Sequence, residues 1–350
     1  MTLLQTFIND AHNRPSLAIF QSSAAQTTIP VLRQYLATSP SKGKPRHRIL
    51  FSLLYPPSDL VGDANDADFE VHDWLDNVPG YSGECFNPGL QLLSTLDQAL
   101  NAHSGPVDAV VDSIDTLFSD LGSLSEAYKY LREAHTKVAT RTGSTLILHG
   151  THSELTSLVT QTSFTSSLVY IQGHPTAILN HIAIEYLTPP PPLSPEPKFW
   201  SVFLPLSQRQ GDVNSLVFGS NGEGSGDSSE IVIDILVRGV AGRKRSVERE
   251  LEAWSSAQGP CEWRHLEALK SIWVKQAPVQ TPATPDPTQN LSFNLNLTST
   301  QQEARASVPL PYAHEGQPTE KSADTKGAIY YDPDSADDLD DDDPDEDLDI

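Results

Sequence analysis

Residues Gln21-Ser-Ser-Ala-Ala-Gln26-Thr27-Thr28 stand between an apolar run at 17–20 and an amphipathic one at 29–36. A strand, an eight-residue loop and a helix in that order form the setting of a phosphate-binding loop. Glycines at its first and sixth positions let backbone N–H groups close on a phosphate, a lysine balances the charge, and a Ser/Thr hydroxyl holds magnesium. Here both glycine positions are glutamine, the lysine position is Thr27, and Thr28 alone keeps its hydroxyl. What remains reads as an ordinary strand-to-helix connection capped by Thr27 or Thr28. Gln21 and Gln26 put side chains where phosphates would lie.

The other chemistry-bearing residues are equally spare. Asp112 and Asp115 follow an apolar strand, where the magnesium-coordinating acid of such a site would stand. Without a phosphate loop they have nothing to complete, and capping the next turn is the expected role. His149 and His152 flank Gly150-Thr151, but no third metal ligand is indicated, so both read as solvated loop histidines. There is no serine elbow, no pair of catalytic carboxylates and no cysteine cluster. The expectation is a chain that is not an enzyme and holds no cofactor and no metal.

Two basic patches interrupt an acidic protein. Lys42, Lys44, Arg46 and Arg48 lie in an early loop, which reads as solvated surface. Arg238, Arg243, Lys244, Arg245 and Arg249 follow the last clear strand, with Gly239 and Gly242 among them. A mobile cationic loop can follow a nucleic-acid backbone, so Arg243, Lys244 and Arg245 are the candidate RNA contacts. No aromatic lies in the patch, so base-specific reading is not indicated.

The elements that must carry these residues alternate. Apolar strands at 17–20, 49–55, 107–112, 145–150 and 166–172 are separated by helical patterns. One helix opens at Asn87-Pro88 with a Leu90, Leu93, Leu96, Leu100 stripe. Another follows the Ser123…Glu126 capping box with Leu124, Tyr128, Leu131, His135 and Val138 on its apolar side. That alternation predicts an α/β fold with a mainly parallel sheet flanked by helices. Residues 56–86 read as an irregular acidic insertion. After residue 178, HIAIEYL, FWSVFLPL and EIVIDILV come without long helices between them and predict antiparallel edge strands; residues 246–254 fit helix or strand equally. Parallel strands, a strand-end Asp and a late antiparallel section resemble a RecA-like nucleotide-binding core, here lacking a functional phosphate loop.

At 350 residues the chain can bury a sizeable core. Net charge is −23, and the twelve acids among residues 331–350, unopposed by Lys or Arg, leave −11 on the first 330. A body that acidic does not attract nucleic acid through its overall field. No stretch of eighteen apolar residues spans a membrane, the start lacks the basic leader of a signal peptide, and Cys85 and Cys261 read as buried free thiols. A soluble intracellular protein is expected. From Ala277 the composition turns to Pro, Thr, Ser, Asn, Gln and then Asp, too polar to fold by itself. The division expected is a folded domain at 1–275 and a low-complexity, disordered acidic tail at 276–350.

Within that tail, LSFNLNLTSTQQEARASVPLPYAHE (291–315) followed by GAIYYDPDSADDLDDDDPDEDLDI (327–350) resembles the C-terminal signature of the Elongator complex protein 5 family. The matches are Phe293-Asn294-Leu295, Ala304-Arg305, Leu310-Pro311-Tyr312, Ile329-Tyr330-Tyr331 and the terminal acidic run at 345–350. The resemblance implies a non-catalytic RecA-like subunit in a hetero-hexameric ring with Elongator subunits four and six. That ring binds tRNA and serves the catalytic Elongator subunit, which modifies the wobble uridine, in cytoplasm and nucleus. Leu310, Pro311, Tyr312, Ile329, Tyr330 and Tyr331 are the expected partner contacts of the tail. An atypical RecA-like ATPase and an acidic-tailed chaperone or scaffold for basic proteins are the readings from other classes.

Overall fold

The computed structural model describes residues 2–9, 14–38, 46–61, 69–80, 86–151, 153–239, 247–273 and 300. Leu17–Gln21 (β1), Val107–Val111 (β4) and Thr145–Gly150 (β5) are buried at every position, and His47–Ser52 (β2) at all but its first. Strands buried on both faces belong in a parallel sheet covered by helices on each side, and that is the arrangement. Phe69–Asp73 (β3), β2, β4, β5, β1 and Leu168–His174 (β6) run parallel. Glu230–Arg238 (β7), Val247–Ser255 (β8) and Gly259–Cys261 (β9) continue the sheet antiparallel, in the order β3-β2-β4-β5-β1-β6-β7-β8-β9.

Alternate residues of each strand face two different helix layers. On one face Ala18, Phe20, Ile231, Ile233 and Ile235 meet Leu3–Asn9 (α1), Ile29–Ala37 (α2) and Pro57–Val61 (α3). On the other, Leu17, Ile19, Ile49 and Phe51 meet Pro88–Ala102 (α4), Ile114–Leu121 (α5), Leu124–Ala139 (α6) and Glu154–Val159 (α7). Beyond β6 that second face passes to Thr176–Glu185 (α8), Glu196–Gln208 (α9) and Gln210–Phe218 (α10), packed on Val232 and Ala253. Two 3₁₀ turns at Trp263–His265 and Glu267–Leu269 and the short helix Lys270–Trp273 (α11) follow β9. Among the described residues, no helix is long and apolar enough to cross a membrane.

Four sequence expectations are corrected. Residues 56–86 contain α3 and β3. An edge strand has one hydrogen-bonded neighbour, so β3 needs only Phe69 buried, and its FEVHD sequence lacks the apolar run that marks a central strand. HIAIEYL and FWSVFLPL fall in α8 and α9, not in strands. Their buried residues are Ile178, Leu179 and Ile182, then Phe199, Phe203 and Leu206, spaced three or four apart as one helix face requires. Aromatic and β-branched content hid that period, as did Pro205 inside α9. The antiparallel edge is therefore β7, β8 and β9, and of the stretch 246–254, open on sequence, residues 247–254 lie in β8. In α4 the buried face is Leu92, Leu93, Leu96, Ala99 and Leu100, while Leu90 is 58% exposed in the first turn. Asn87 caps that helix as expected, its side chain accepting from Leu90 N at 3.0 Å.

Candidate functional site

Every parallel strand points its C-terminal end towards the loop at 21–28, so this edge of the sheet is where nucleotide chemistry would have to occur. The loop is closed on itself. Ser22 N donates to Gly150 O at 2.8 Å, Ser23 N to Gln26 O at 2.8 Å, and Gln26 N back to Ser23 Oγ at 3.1 Å. Thr28 N donates to Ser22 Oγ at 2.9 Å. A phosphate-binding loop leaves such N–H groups pointing into a cradle; here four of them are bound inside the protein. Gln21 and Gln26 are buried. Gln21 accepts from the Tyr170 hydroxyl, whose pKa burial pushes well up. Gly173 lets Thr28 pack against the sheet, since a Cβ there would lie 2.7 Å from the Thr28 methyl.

Ser22 opens a run of hydrogen bonds across the strand ends. Its Oγ lies 2.8 Å from His149 Nε2, and His149 Nδ1 lies 2.7 Å from the carbonyl of Asp112. A carbonyl only accepts, so Nδ1 carries the proton and Nε2 accepts from the Ser22 hydroxyl. Burial lowers the pKa of His149, which keeps the imidazole neutral and this tautomer in place. Asp112 in turn accepts from Leu53 N (2.7 Å), Leu54 N (2.9 Å) and Tyr55 N (2.8 Å). Burial raises its pKa in spite of those three donors. Ser22, His149, Asp112 and Leu53 thus tie together the ends of β1, β5, β4 and β2, four consecutive strands of the sheet.

A serine beside a neutral histidine invites comparison with a nucleophile and its base. Ser22 does not fit that role. With its proton on His149, its two lone pairs face Thr28 N–H and the Thr28 hydroxyl at 3.0 Å, and the residue is buried. Nothing is left for attack on a substrate. Thr28, the one hydroxyl kept from the phosphate-loop pattern, is fully buried and bonded to Ser22. Of the two caps expected, Thr27 makes a side-chain bond, accepting from Ile29 N at 3.2 Å, whereas Thr28 makes none to the helix. Asp115 accepts from Thr151 N at 2.5 Å and Thr151 Oγ1 at 3.0 Å, so it braces the turn after β5.

His149 corrects the expectation of a solvated loop histidine: it is the buried fifth residue of β5, and His152 lies outside the described residues. The Ser22–His149 contact was missed because no motif joins residues so far apart. The available signal was a polar residue at the end of each of two fully apolar strands. Cys261 is free and buried, and Cys85 lies outside the described residues.

The basic patches separate into bound and undescribed residues. Arg46 is no solvated loop residue. It forms a fork to buried Asp108, with Nε to Oδ2 at 2.8 Å and Nη2 to Oδ1 at 2.5 Å. Arg48 is buried and holds the end of α2 through Leu36 O at 2.8 Å and Thr38 O at 3.1 Å. Arg238 donates to Thr160 O (3.0 Å) and Thr165 O (2.9 Å), and Arg249 Nε to buried Asp234 at 2.9 Å. Each completes the body's own hydrogen bonding. Lys42, Lys44, Arg243, Lys244 and Arg245 lie outside the described residues, as do Leu310, Pro311, Tyr312, Ile329, Tyr330 and Tyr331.

Comparison with known proteins supplies the family. The model of the Elongator subunit Iki1 family matches residues 3–332. Elongator complex protein 5 of Homo sapiens is 39% identical over 92 residues, which is 24% of this chain and 31% of that protein. The proteins of the same name in Mus musculus and Danio rerio are 43% and 41% identical, over 23% and 25% of their lengths and 19% and 20% of this one. The matched stretch thus spans roughly a quarter to a third of these relatives. Among solved structures, a KaiC-like protein of Pyrococcus horikoshii OT3 aligns over 69% of this chain and 86% of its own, with a TM-score of 0.39 and 9% identity. With the family's model running through all the strands and helices of the body, the chain belongs to the Elongator subunit Iki1 family.

Proposed function

We propose that this chain is a non-catalytic subunit of the Elongator complex. In this reading its RecA-like body assembles with Elongator subunits four and six into a hetero-hexameric ring. The ring binds tRNA and supports modification of the wobble uridine by the catalytic subunit, in cytoplasm and nucleus. The observation that carries the reading is the closed loop at 21–28, whose N–H groups at Ser22, Ser23, Gln26 and Thr28 are bound within the body. A subunit that contributes surface rather than chemistry keeps such a frame and loses its ligand. Family membership supports the Elongator assignment, and a parallel core continued by antiparallel β7, β8 and β9 supports the RecA-like one.

RNA contact is assigned to Arg243, Lys244 and Arg245, on their charge density in an acidic protein. The division into a folded domain at 1–275 and a tail at 276–350 belongs to the same reading, with the tail docking on a partner through Leu310, Pro311, Tyr312, Ile329, Tyr330 and Tyr331.

The test is reconstitution with subunits four and six. Native mass measurement should give a six-membered assembly. Neutralising Arg243, Lys244 and Arg245 together should weaken binding of different tRNAs alike and flatten its dependence on salt, since phosphate contacts carry no sequence information. The isolated chain should show no magnesium-dependent ATP affinity tighter than about millimolar. Micromolar ATP binding lost on Thr28→Ala would establish an atypical ATPase instead. An unchanged salt slope would remove the RNA assignment.

A further inference from the structure

The opposite edge of the sheet carries a group of side chains that the reading above does not use. His47 is the first residue of β2, Glu70 the second of β3, and His103 follows the last residue of α4. β2 and β3 pair in parallel with Ile49 opposite Glu70, which places His47 and Glu70 on one face at neighbouring levels. His47 Nε2 lies 2.7 Å from Glu70 Oε2. The rings of His47 and His103 stack with centroids 3.6 Å apart and planes at 20°. One ligand atom from each of His47, Glu70 and His103 lies within 4.8 Å of the other two.

From this convergence we propose that His47, Glu70 and His103 form a binding site for a divalent transition-metal ion of the zinc class. Two imidazole nitrogens and one carboxylate oxygen suit Zn²⁺, Co²⁺ or Ni²⁺, whereas Mg²⁺ and Ca²⁺ select oxygen-only sets. Three protein ligands leave a fourth position for water, and His103 is exposed, so an ion can enter from solvent. The carboxylate is already aimed. His72 Nε2 lies 2.9 Å from Glu70 Oε1, which leaves Oε2 turned towards His47. Such an outer partner fixes a ligand's orientation. His47 is itself anchored by its backbone N–H to Pro106 O at 3.1 Å. The ion would tie the edge strand β3, which has β2 as its one strand neighbour among the described residues, to β2 and to the end of α4.

The test uses the full chain, stripped with chelator and titrated with ZnCl₂ by calorimetry and with CoCl₂ by visible absorbance. The expected result is one equivalent bound at about micromolar Kd, a cobalt spectrum typical of nitrogen ligands, and a rise in melting temperature with zinc. His103→Ala and Glu70→Gln should each weaken that equivalent about tenfold or more and abolish the zinc-dependent rise in melting temperature. His181→Ala, remote from the group, should leave both unchanged. His103 is exposed at the surface, so its variant should keep the parent's circular dichroism spectrum. Absence of a one-equivalent site tighter than about 100 µM overturns the proposal. So does a site that both variants retain, because the acidic tail or another histidine would then hold the metal.

Discussion

Replacing Asp112 with alanine separates a structural acid from a relic of metal chemistry, because the two readings predict opposite signs. The carboxylate is fully buried and accepts from the N–H groups of Leu53, Leu54 and Tyr55 at 2.7–2.9 Å. A buried N–H that loses its acceptor costs about 1–3 kcal/mol, but one that water can reach costs much less. Leu53 is buried, so its donor meets nearly the whole cost, about 2 kcal/mol. Leu54 is 51% exposed and Tyr55 half-buried, so their donors add about 1 kcal/mol together. Against this, removal relieves the burial that holds the Asp112 pKa above its ordinary value. The net loss should be about 2–3 kcal/mol, or a fall in melting temperature of about 3–6 °C for a body of this size.

Asp112→Asn should lie between wild type and alanine, because one oxygen still accepts while its NH₂ faces a donor. Thermal unfolding of the full chain, followed by near-ultraviolet circular dichroism, measures both. An acid kept only for a metal would be strained by its burial, and its alanine variant would melt higher than wild type. A rise, or a change within about 1 °C, refutes the assignment of Asp112 as the acceptor that holds the turn after β2.

Glu252 accepts from the N–H groups of Leu3 and Leu4, and burial pushes its pKa up to about 7. The folded state therefore holds its proton more tightly than the unfolded chain, so stability should fall as pH rises from about 4.5 to about 7, and Glu252→Gln should flatten that slope in urea titrations. His174 behaves in the opposite sense: burial pulls its pKa down to about 4, so the unfolded chain takes the proton first and stability falls as pH drops from 6.5 towards 4. Its Nε2 has no partner among the described residues, so His174→Leu should raise the melting temperature, and more at pH 5 than at pH 8. In the tail, a peptide of residues 324–350 should bind the co-purified partner subunits, and Tyr330→Ala with Tyr331→Ala should cost about 2 kcal/mol or more. A double-alanine peptide that binds like its parent, with moderate salt abolishing both, would leave only electrostatic attraction.

The sequence was legible where a single rule governs an element. Fully buried strands such as LAIFQ and TLILHG are apolar through their centres, and Asn87-Pro88 and Ser123 mark helix starts by capping chemistry. Reading failed where two rules compete. α9 contains Phe199, Trp200, Val202, Phe203 and Pro205, residues that individually disfavour a helix, yet the packing of Phe199, Phe203 and Leu206 on the sheet decides the matter. At the candidate site the losses from the phosphate loop were visible residue by residue. What replaced them was not, because the contact of Ser22 with His149 depends on β1 and β5 being neighbours. Arg46 and Arg48 show the same limit: a run of cations reads as a solvated loop until Asp108 and the end of α2 are found beside it.

On the function proposed above, the closed loop accounts for how a RecA-like frame persists without nucleotide. In a working site, phosphate oxygens and a metal ion satisfy the N–H groups and carboxylates gathered where the strands end. Removing the ligand alone would leave those groups buried and unpaired, at about 1–3 kcal/mol each. In this chain four loop N–H groups, at Ser22, Ser23, Gln26 and Thr28, and the strand-end polar side chains have internal partners. Ser22 takes the N–H of Thr28, Gln21 the hydroxyl of Tyr170, His149 links Ser22 to the Asp112 carbonyl, and the Asp112 carboxylate takes three N–H groups from the turn after β2. These bonds run through the same four strand ends that would surround a triphosphate. Restoring glycine at positions 21 and 26 and lysine at 27 would therefore not restore binding by itself. The N–H groups of Ser22, Ser23, Gln26 and Thr28 would still be bound to Gly150, residue 26, Ser23 and Ser22, and a phosphate would have to displace those acceptors.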